Sequence, residues 1–238
     1  MSIILIGLIA GALLTGSGGK NVSDQRTQDV SIERSVYADC KKIMAERNSF
    51  LPGSFLLPNH TALCISGKIN RSLMSEVAIT IKSQQRKATK INYVVLSSDG
   101  GDLRASLKIA EVIESIGATV IVGDRCMSEC SQFIFVAGAK KVILMGGLVL
   151  FHGGPISDEA INNMSISRKV KKALLSEQDS FREFYRARHI DIAMLTNPPP
   201  EVQKDWSAGK RVMWSWSGEE LTQFGVLDVY QEPIDIRK

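Results

Sequence analysis

Residues 91–101 read INYVVLSSDGG, and this stretch decides the fold class. The run 91–96 is apolar and β-branched, which is typical of a strand buried on both faces. The two glycines at its end predict a tight turn. Apolar residues then recur at helical spacing over 103–116, and Gly117 stands where a helix C-terminal cap would lie. A strand, a glycine turn and a helix in this order indicate a βαβ unit.

The alternation of strands and helices continues on both sides of this stretch. The pattern predicts strands within 61–69, 119–122, 141–145 and 148–151, and helices over 72–85 and from Ser128 to about Gly138. Strands that alternate with helices form parallel sheets with helices on both faces. The sequence therefore predicts an α/β fold with repeated ββα and βαβ units and a largely parallel sheet covered by helices.

The chain of 238 residues is long enough for one substantial core with an appendage. We divide it into a leader over 1–19, an N-terminal helical segment over 20–60 and a main domain over 61–238. Within the main domain we predict a long, mixed-charge helix over about 157–188 and a closing helix and strand over 214–230.

The charges are balanced: 29 basic and 25 acidic side chains give a net charge of +4, and no block of like charges appears. Nucleic-acid-binding domains usually carry a clustered basic surface. Here the basic residues recur singly or in pairs, as on a solvated helix face. We therefore expect no nucleic-acid partner.

The leader resembles an export signal. Residues 1–14 carry no charged side chain, an apolar run fills 3–14, and small residues follow over 15–19. As a helix, the run would span about 18 Å, whereas a membrane core is about 30 Å thick. Because no basic residue precedes the run and no Ala-x-Ala follows it, a cleaved signal and a short anchor both stay open. We predict an exported, periplasmic or envelope protein that touches a membrane only through an uncleaved N-terminus.

Four cysteines suit that oxidising location. Cys126 and Cys130 are four residues apart, about one helical turn, so a bridge between them is geometrically feasible. Cys40 and Cys64 then remain for a second bridge. A metal site would need further ligands, and no second close cysteine pair or His-x-x-x-His is present. No phosphate-binding loop of the Gly-x-x-x-x-Gly-Lys-Ser/Thr type occurs either, so we predict no metal and no cofactor.

Candidate functional residues follow three of the predicted strands, where the carboxyl ends of parallel strands gather functional groups. Gly101 follows the strand at 91–96, Ser128 follows the strand at 119–122, and His152 ends the strand at 148–151. Taken singly, a glycine pair is a turn, a serine starts a helix and a histidine caps a strand. Their order and spacing, with the residues around them, favour a shared site.

The sequence segments around Gly101, Ser128 and His152 resemble those of the Clp protease proteolytic subunit and its exported relatives in the Clp-protease/crotonase superfamily. Asp99 replaces the proline of the family's Ser-Pro-Gly-Gly, and 126–130 is similar to the Cys-Ala-Ser-Ala-Cys of exported members. The resemblance covers about 62–155, and its other segments are 65–69, 137–140, 150–155 and the tail 217–228. It implies the Clp-protease/crotonase-like fold.

The resemblance also implies catalytic roles. Ser128 would be the nucleophile, and His152, 24 residues later, its general base. The backbone N–H groups of Gly101 and Glu129 would form the oxyanion hole. Glu129 departs from the family's small or apolar residue, and its charge would disfavour an oxyanion unless the side chain points away.

The acid of the triad is missing from its expected place. The family's aspartate position falls near Met213, which cannot orient an imidazole. We name Asp205 as the third catalytic member, with Glu201 and Asp179 as alternatives.

Three functions remain open from the sequence. The first is a serine hydrolase that cleaves peptides or proteins in the envelope. The second is a non-catalytic binding module with the same fold, which the missing acid and Glu129 favour. The third is an acyl-thioester enzyme of the crotonase type, although paired catalytic carboxylates are not evident. Members of the family assemble into rings or trimers, so a homo-oligomer is also among the expected partners.

Overall fold

The structure is a computed structural model that describes residues 22–46, 51–57, 61–210 and 212–233. The predicted leader over 1–19 lies outside the described residues. The helices are α1 (Val22–Glu46), α2 (Arg71–Arg86), α3 (Leu103–Ile116), a π-helix (Cys130–Phe135), α4 (Asp158–Asn163), α5 (Arg168–Ala187), α6 (Ala193–Thr196), α7 (Pro200–Ser207) and α8 (Gly218–Gln223). The strands are β1 (Gly53–Leu57), β2 (Ala62–Ser66), β3 (Tyr93–Ser98), β4 (Thr119–Met127), β5 (Lys140–Ile143), β6 (Leu148–Leu150) and β7 (Val229–Gln231). None of the helices in these ranges has both the length and the apolar character needed to cross a membrane.

The strands form one sheet in the order β1-β2-β3-β4-β5-β7, with β6 paired to β4 beside β5. Only the β1–β2 pairing is antiparallel among the described strands; the others are parallel. The first half of β4 pairs with β5, and its last three residues pair with β6. This double pairing brings the carboxyl ends of β4 and β6 side by side.

Side chains alternate between two buried layers, as the pleat of a strand requires. Leu63, Val94 and Val120 face a core beneath α2, α3, the π-helix and α5. Cys64 and Val95, one residue further on, face a second core on the opposite side of the sheet. That second core includes buried α1 side chains from Val30 to Met44. Burial on both faces explains why the strands read as continuous apolar runs.

The predicted fold class is confirmed: the protein is α/β, with a mostly parallel sheet covered by helices. The strand and helix at 91–116 form as expected. The Asp102 side chain accepts the N–H of Ala105 at 2.8 Å and so begins α3, and Gly117 ends it in a left-handed conformation.

The structure corrects three local predictions. The helix over 157–188 is two helices, because Ser167 starts a new one with its side chain on the N–H of Val170. The N-terminal segment over 20–60 is not only helical, since it contains β1 after α1. The strand predicted at 119–122 continues to Met127, so Ser128 lies in a turn and the helix after it begins at Cys130.

Candidate active site

Ser128 occupies a strained turn between β4 and the π-helix. Its φ is +58°, a left-handed conformation that costs a residue with a Cβ about 1–2 kcal/mol. Its N–H donates to the carbonyl of Leu150 in β6 at 3.0 Å, and its carbonyl accepts the N–H of Gln132 at 2.9 Å. These bonds hold the turn in place, so that the hydroxyl lies at the carboxyl end of the sheet.

A disulfide brackets this turn. Cys126, in β4, and Cys130, in the π-helix, are bonded with a Cα–Cα distance of 5.2 Å. The second bridge joins Cys40 of α1 to Cys64 of β2 with a Cα–Cα distance of 5.7 Å. Both predicted pairings are confirmed. The first bridge limits the freedom of the Ser128 backbone in both chain directions.

His152 meets Ser128 from the end of β6. Its Nε2 lies 2.7 Å from Ser128 Oγ, which is hydrogen-bond distance for a base and its nucleophile. The segment is fixed by Phe151, whose N–H and carbonyl bond reciprocally to Trp214 at 2.8 and 3.0 Å. The structure thus brings together the two residues that the sequence singles out.

Gly101 lies on the other side of the Ser128 hydroxyl. Its φ is +155°, and a Cβ added there would lie 2.1 Å from the carbonyl oxygen of Ile69. Only glycine therefore fits without moving the backbone. The Gly101 N–H donates a hydrogen bond to a side-chain oxygen of Glu129, the residue after Ser128, at 3.0 Å.

The Glu129 carboxylate is directed into the site rather than away from it. Its Oε2 accepts both the Gly101 N–H at 3.0 Å and the Ser128 hydroxyl at 2.5 Å. Its Oε1 lies 4.0 Å from His152 Nε2. The Glu129 carboxylate oxygen therefore lies at the Gly101 N–H, where the carbonyl oxygen of a substrate would have to bind if Ser128 attacked it. The oxyanion-hole roles of the Gly101 and Glu129 N–H groups stay predictions.

No hydrogen bond or ion pair joins a carboxylate to His152 Nδ1 within the described part of the chain. Nδ1 lies 3.0 Å from the carbonyl oxygen of Gly153 instead. Asp205 forms an exposed ion pair with Lys210 at 2.7 Å, and Asp179 pairs with Arg182 at 2.8 Å. The structure therefore does not bring Asp205 to the ring, contrary to the prediction for the third member.

The hydroxyls of the other nearby serines donate hydrogen bonds to acceptors other than His152. Ser97 Oγ donates to Asp124 at 2.7 Å, Ser98 Oγ to the carbonyl of Gly67 at 2.7 Å, and Ser131 Oγ to that of Leu150 at 2.7 Å. All three side chains are buried. Ser128 alone among these serines contacts the histidine.

A cavity of about 860 Å³ opens beside the pair. Its walls combine apolar side chains with one cation, and they comprise Ser128, His152, Gly153, Gly154, Ile156, Trp206, Gly209, Lys210, Val212 and Met213. Met213, where the family's acid was expected, is thus part of the cavity wall. In the described ranges no cluster of three His, Cys, Asp or Glu side chains could hold a metal ion.

The sequence did not indicate two features of this site. One is the direction of the Glu129 side chain, and the other is Gln132, whose Nε2 donates to the carbonyl of His152 at 3.0 Å. A polar residue inside the apolar run 130–137 was the available signal for Gln132, since a buried amide needs partners.

No family model matches the chain, and no curated protein matches it. A search of solved structures finds a ClpP1 mutant from Listeria monocytogenes, with a TM-score of 0.48 and 16% sequence identity. The match covers 74% of this chain and 94% of that one.

Proposed function

We propose that this protein is a serine hydrolase, specifically a peptidase, with Ser128 as nucleophile and His152 as general base. The observation that carries the proposal is the 2.7 Å contact between Ser128 Oγ and His152 Nε2. The strained backbone of Ser128 supports it, because left-handed residues with side chains persist mainly where function or packing requires them.

The proposed chemistry follows from these positions. Ser128 Oγ attacks a peptide carbonyl carbon while its proton passes to His152 Nε2. The carbonyl oxygen becomes an oxyanion that the Gly101 N–H stabilises once the Glu129 carboxylate has withdrawn. Collapse expels the amine, which takes the proton from Nε2. Water, deprotonated by the same nitrogen, then releases the acyl group and regenerates Ser128.

An exported location belongs to the same proposal. Disulfides form and persist in oxidising compartments, and two are present here. A peptide or protein substrate fits the open cavity beside Ser128. We also propose that the protein forms a homo-oligomer, which light scattering on the purified chain tests.

A fluorophosphonate probe tests the nucleophile. We expect labelling of one serine in the wild type, none in Ser128→Ala and much slower labelling in His152→Ala. Ser97→Ala is the matched control, because its hydroxyl donates to Asp124 and should leave labelling intact. Equal labelling of Ser128→Ala and the wild type would contradict the assignment.

The Glu129 carboxylate favours a second candidate, a binding module in which the same groove holds a peptide without cleaving it. A negative charge bonded to the Gly101 N–H opposes an oxyanion there. If the folded wild type and a Glu129→Ala variant both fail to react with the probe or hydrolyse peptides, this second candidate replaces the first.

A further inference from the structure

Gln132 lies behind the catalytic pair and is buried, with 1% of its surface exposed. Its side-chain Nε2 donates to the carbonyl of His152 at 3.0 Å and to that of Gly153 at 3.4 Å. The same nitrogen is 3.4 Å from His152 Nδ1. One amide therefore contacts two successive backbone carbonyls, that of the histidine and that of the residue after it, and faces the ring.

The two carbonyls fix the orientation of this amide. If the amide were turned over, its oxygen would face two carbonyl oxygens, and neither of the bonds to those carbonyls could form. With the –NH₂ group directed at them, the Gly153 carbonyl stays 3.0 Å from His152 Nδ1. A carbonyl accepts but cannot donate, so the closer of the two contacts at Nδ1 favours a hydrogen on that nitrogen.

A neutral ring with its hydrogen on Nδ1 has a lone pair on Nε2. The Ser128 hydroxyl has a single hydrogen, which it donates to Glu129 in the structure; once that bond is released, the lone pair 2.7 Å from Ser128 Oγ can accept the serine proton, so this tautomer is the one that can act as the base. Selecting this tautomer and orienting the ring are the tasks that the aspartate performs in a serine-protease triad.

Gln132 is itself held firmly. Its N–H donates to the Ser128 carbonyl at 2.9 Å, and its carbonyl accepts the hydroxyl of Tyr185 in α5 at 2.8 Å. Complete burial raises the pKa of Tyr185 well above its ordinary value, so the phenol remains a donor. Gln132 thus links the nucleophile turn, the histidine segment and α5.

We infer that Gln132 is the positioning residue that takes over the task of the missing acid: through the His152 and Gly153 carbonyls it holds the imidazole in the Nδ1–H tautomer. This inference rests on the proposed function, since positioning a base has a purpose only if Ser128 reacts.

The test compares Gln132→Leu with Gln178→Leu. Gln178 is also buried and also holds the loop after His152, with its Oε1 on the N–H of Ile156 at 2.9 Å, but it bonds to no atom of His152 or Gly153. We expect Gln132→Leu to slow fluorophosphonate labelling about 10- to 100-fold, as is usual when a partner that orients an active-site ligand is lost. Gln178→Leu should label at the wild-type rate, even if its melting temperature falls equally.

Histidine ¹⁵N NMR supplies a second readout, independent of turnover. It is recorded at about pH 8 in a Glu129→Ala background, where the Ser128 hydroxyl no longer donates to a carboxylate. The spectrum should show His152 as the Nδ1–H tautomer, assigned by its loss in His152→Gln. Adding Gln132→Leu should shift it toward the Nε2–H form, and adding Gln178→Leu should not.

If the Glu129→Ala protein, with Gln132 intact, shows His152 as the Nε2–H tautomer, the inference is wrong. This outcome does not depend on whether Gln132→Leu folds. So would a folded Gln132→Leu that is labelled at the wild-type rate. A chain that is never labelled, yet shows the tautomer and its loss on changing Gln132, would refute the hydrolase and leave the positioning role intact.

Discussion

If the protein is the serine hydrolase proposed above, removing the Glu129 carboxylate should raise its activity. In the structure this carboxylate accepts the Gly101 N–H and the Ser128 hydroxyl, and its side chain is 18% exposed. A substrate carbonyl can reach the Gly101 N–H only after the carboxylate has given up both bonds. Hydrogen bonds to charged groups contribute about 1.5–3 kcal/mol each, and water replaces part of that loss. We take about 1.5–3 kcal/mol as the net cost of opening the site.

A cost of that size corresponds to a rate about tenfold to a hundredfold lower. Glu129→Ala should therefore raise kcat/KM for a peptide substrate, and the rate of fluorophosphonate labelling, by about that factor. Glu129→Gln should give a smaller rise, because an amide oxygen still accepts the Gly101 N–H but carries no charge.

Asp99→Ala is the matched control. Asp99 carries the same charge two residues from Gly101, but it pairs with Arg125 at 2.5 Å and does not bond to Ser128. It should leave both rates unchanged, which separates direct occupation of the site from a change in net charge. A folded Glu129→Ala that is as slow as the wild type, or slower, would refute the reasoning and indicate that the carboxylate assists the reaction.

Four further outcomes are expected. In denaturant unfolding, Ser128→Gly should have a free energy of unfolding about 1 kcal/mol higher than that of Ser128→Ala, because glycine adopts the left-handed φ without a Cβ penalty. Equal free energies of unfolding would argue against strain in the turn. Replacing Cys40 and Cys64 together by alanine should lower the free energy of unfolding by about 3 kcal/mol. Burial lowers the pKa of Lys141, so the unfolded chain holds more protons than the folded one between that lowered pKa and the ordinary value. Wild-type stability in urea should therefore rise with pH in that range relative to Lys141→Met, and parallel pH curves would contradict this. Asp205→Asn should leave the labelling rate unchanged, because Asp205 pairs with Lys210; a large fall would return Asp205 to the site.

The sequence predicts the framework of the site because that framework depends on local patterns. Apolar runs determine the strands, and Ser128 and His152 follow strands that are neighbours in the sheet. Their contact then follows from the topology, since the ends of β4 and β6 lie side by side. The left-handed turn at Ser128 was not predicted, because the sequence indicates a strand that ends at 122 and a helix that begins at Ser128.

Side-chain directions were beyond the sequence. Whether Glu129 points into the site or away from it depends on the turn geometry and on the Gly101 N–H from a different strand loop. The role of Gln132 depends on the path of the backbone at Gly153, which no local pattern encodes. Counting back from the closing helix leads to Met213, and no motif supports Asp205 as its substitute; the actual partner of Asp205 is Lys210, a neighbour in the turn after α7.

The two disulfides pair the cysteines in the order in which they occur: the first with the second, and the third with the fourth. A chain that enters an oxidising compartment from its N-terminus would expose Cys40 and Cys64 before Cys126 and Cys130. An oxidant that joins thiols as they emerge would then form the native bonds at once, with no wrong bond to exchange. If the protein is exported as proposed, its maturation should depend on a thiol oxidase and not on a disulfide isomerase.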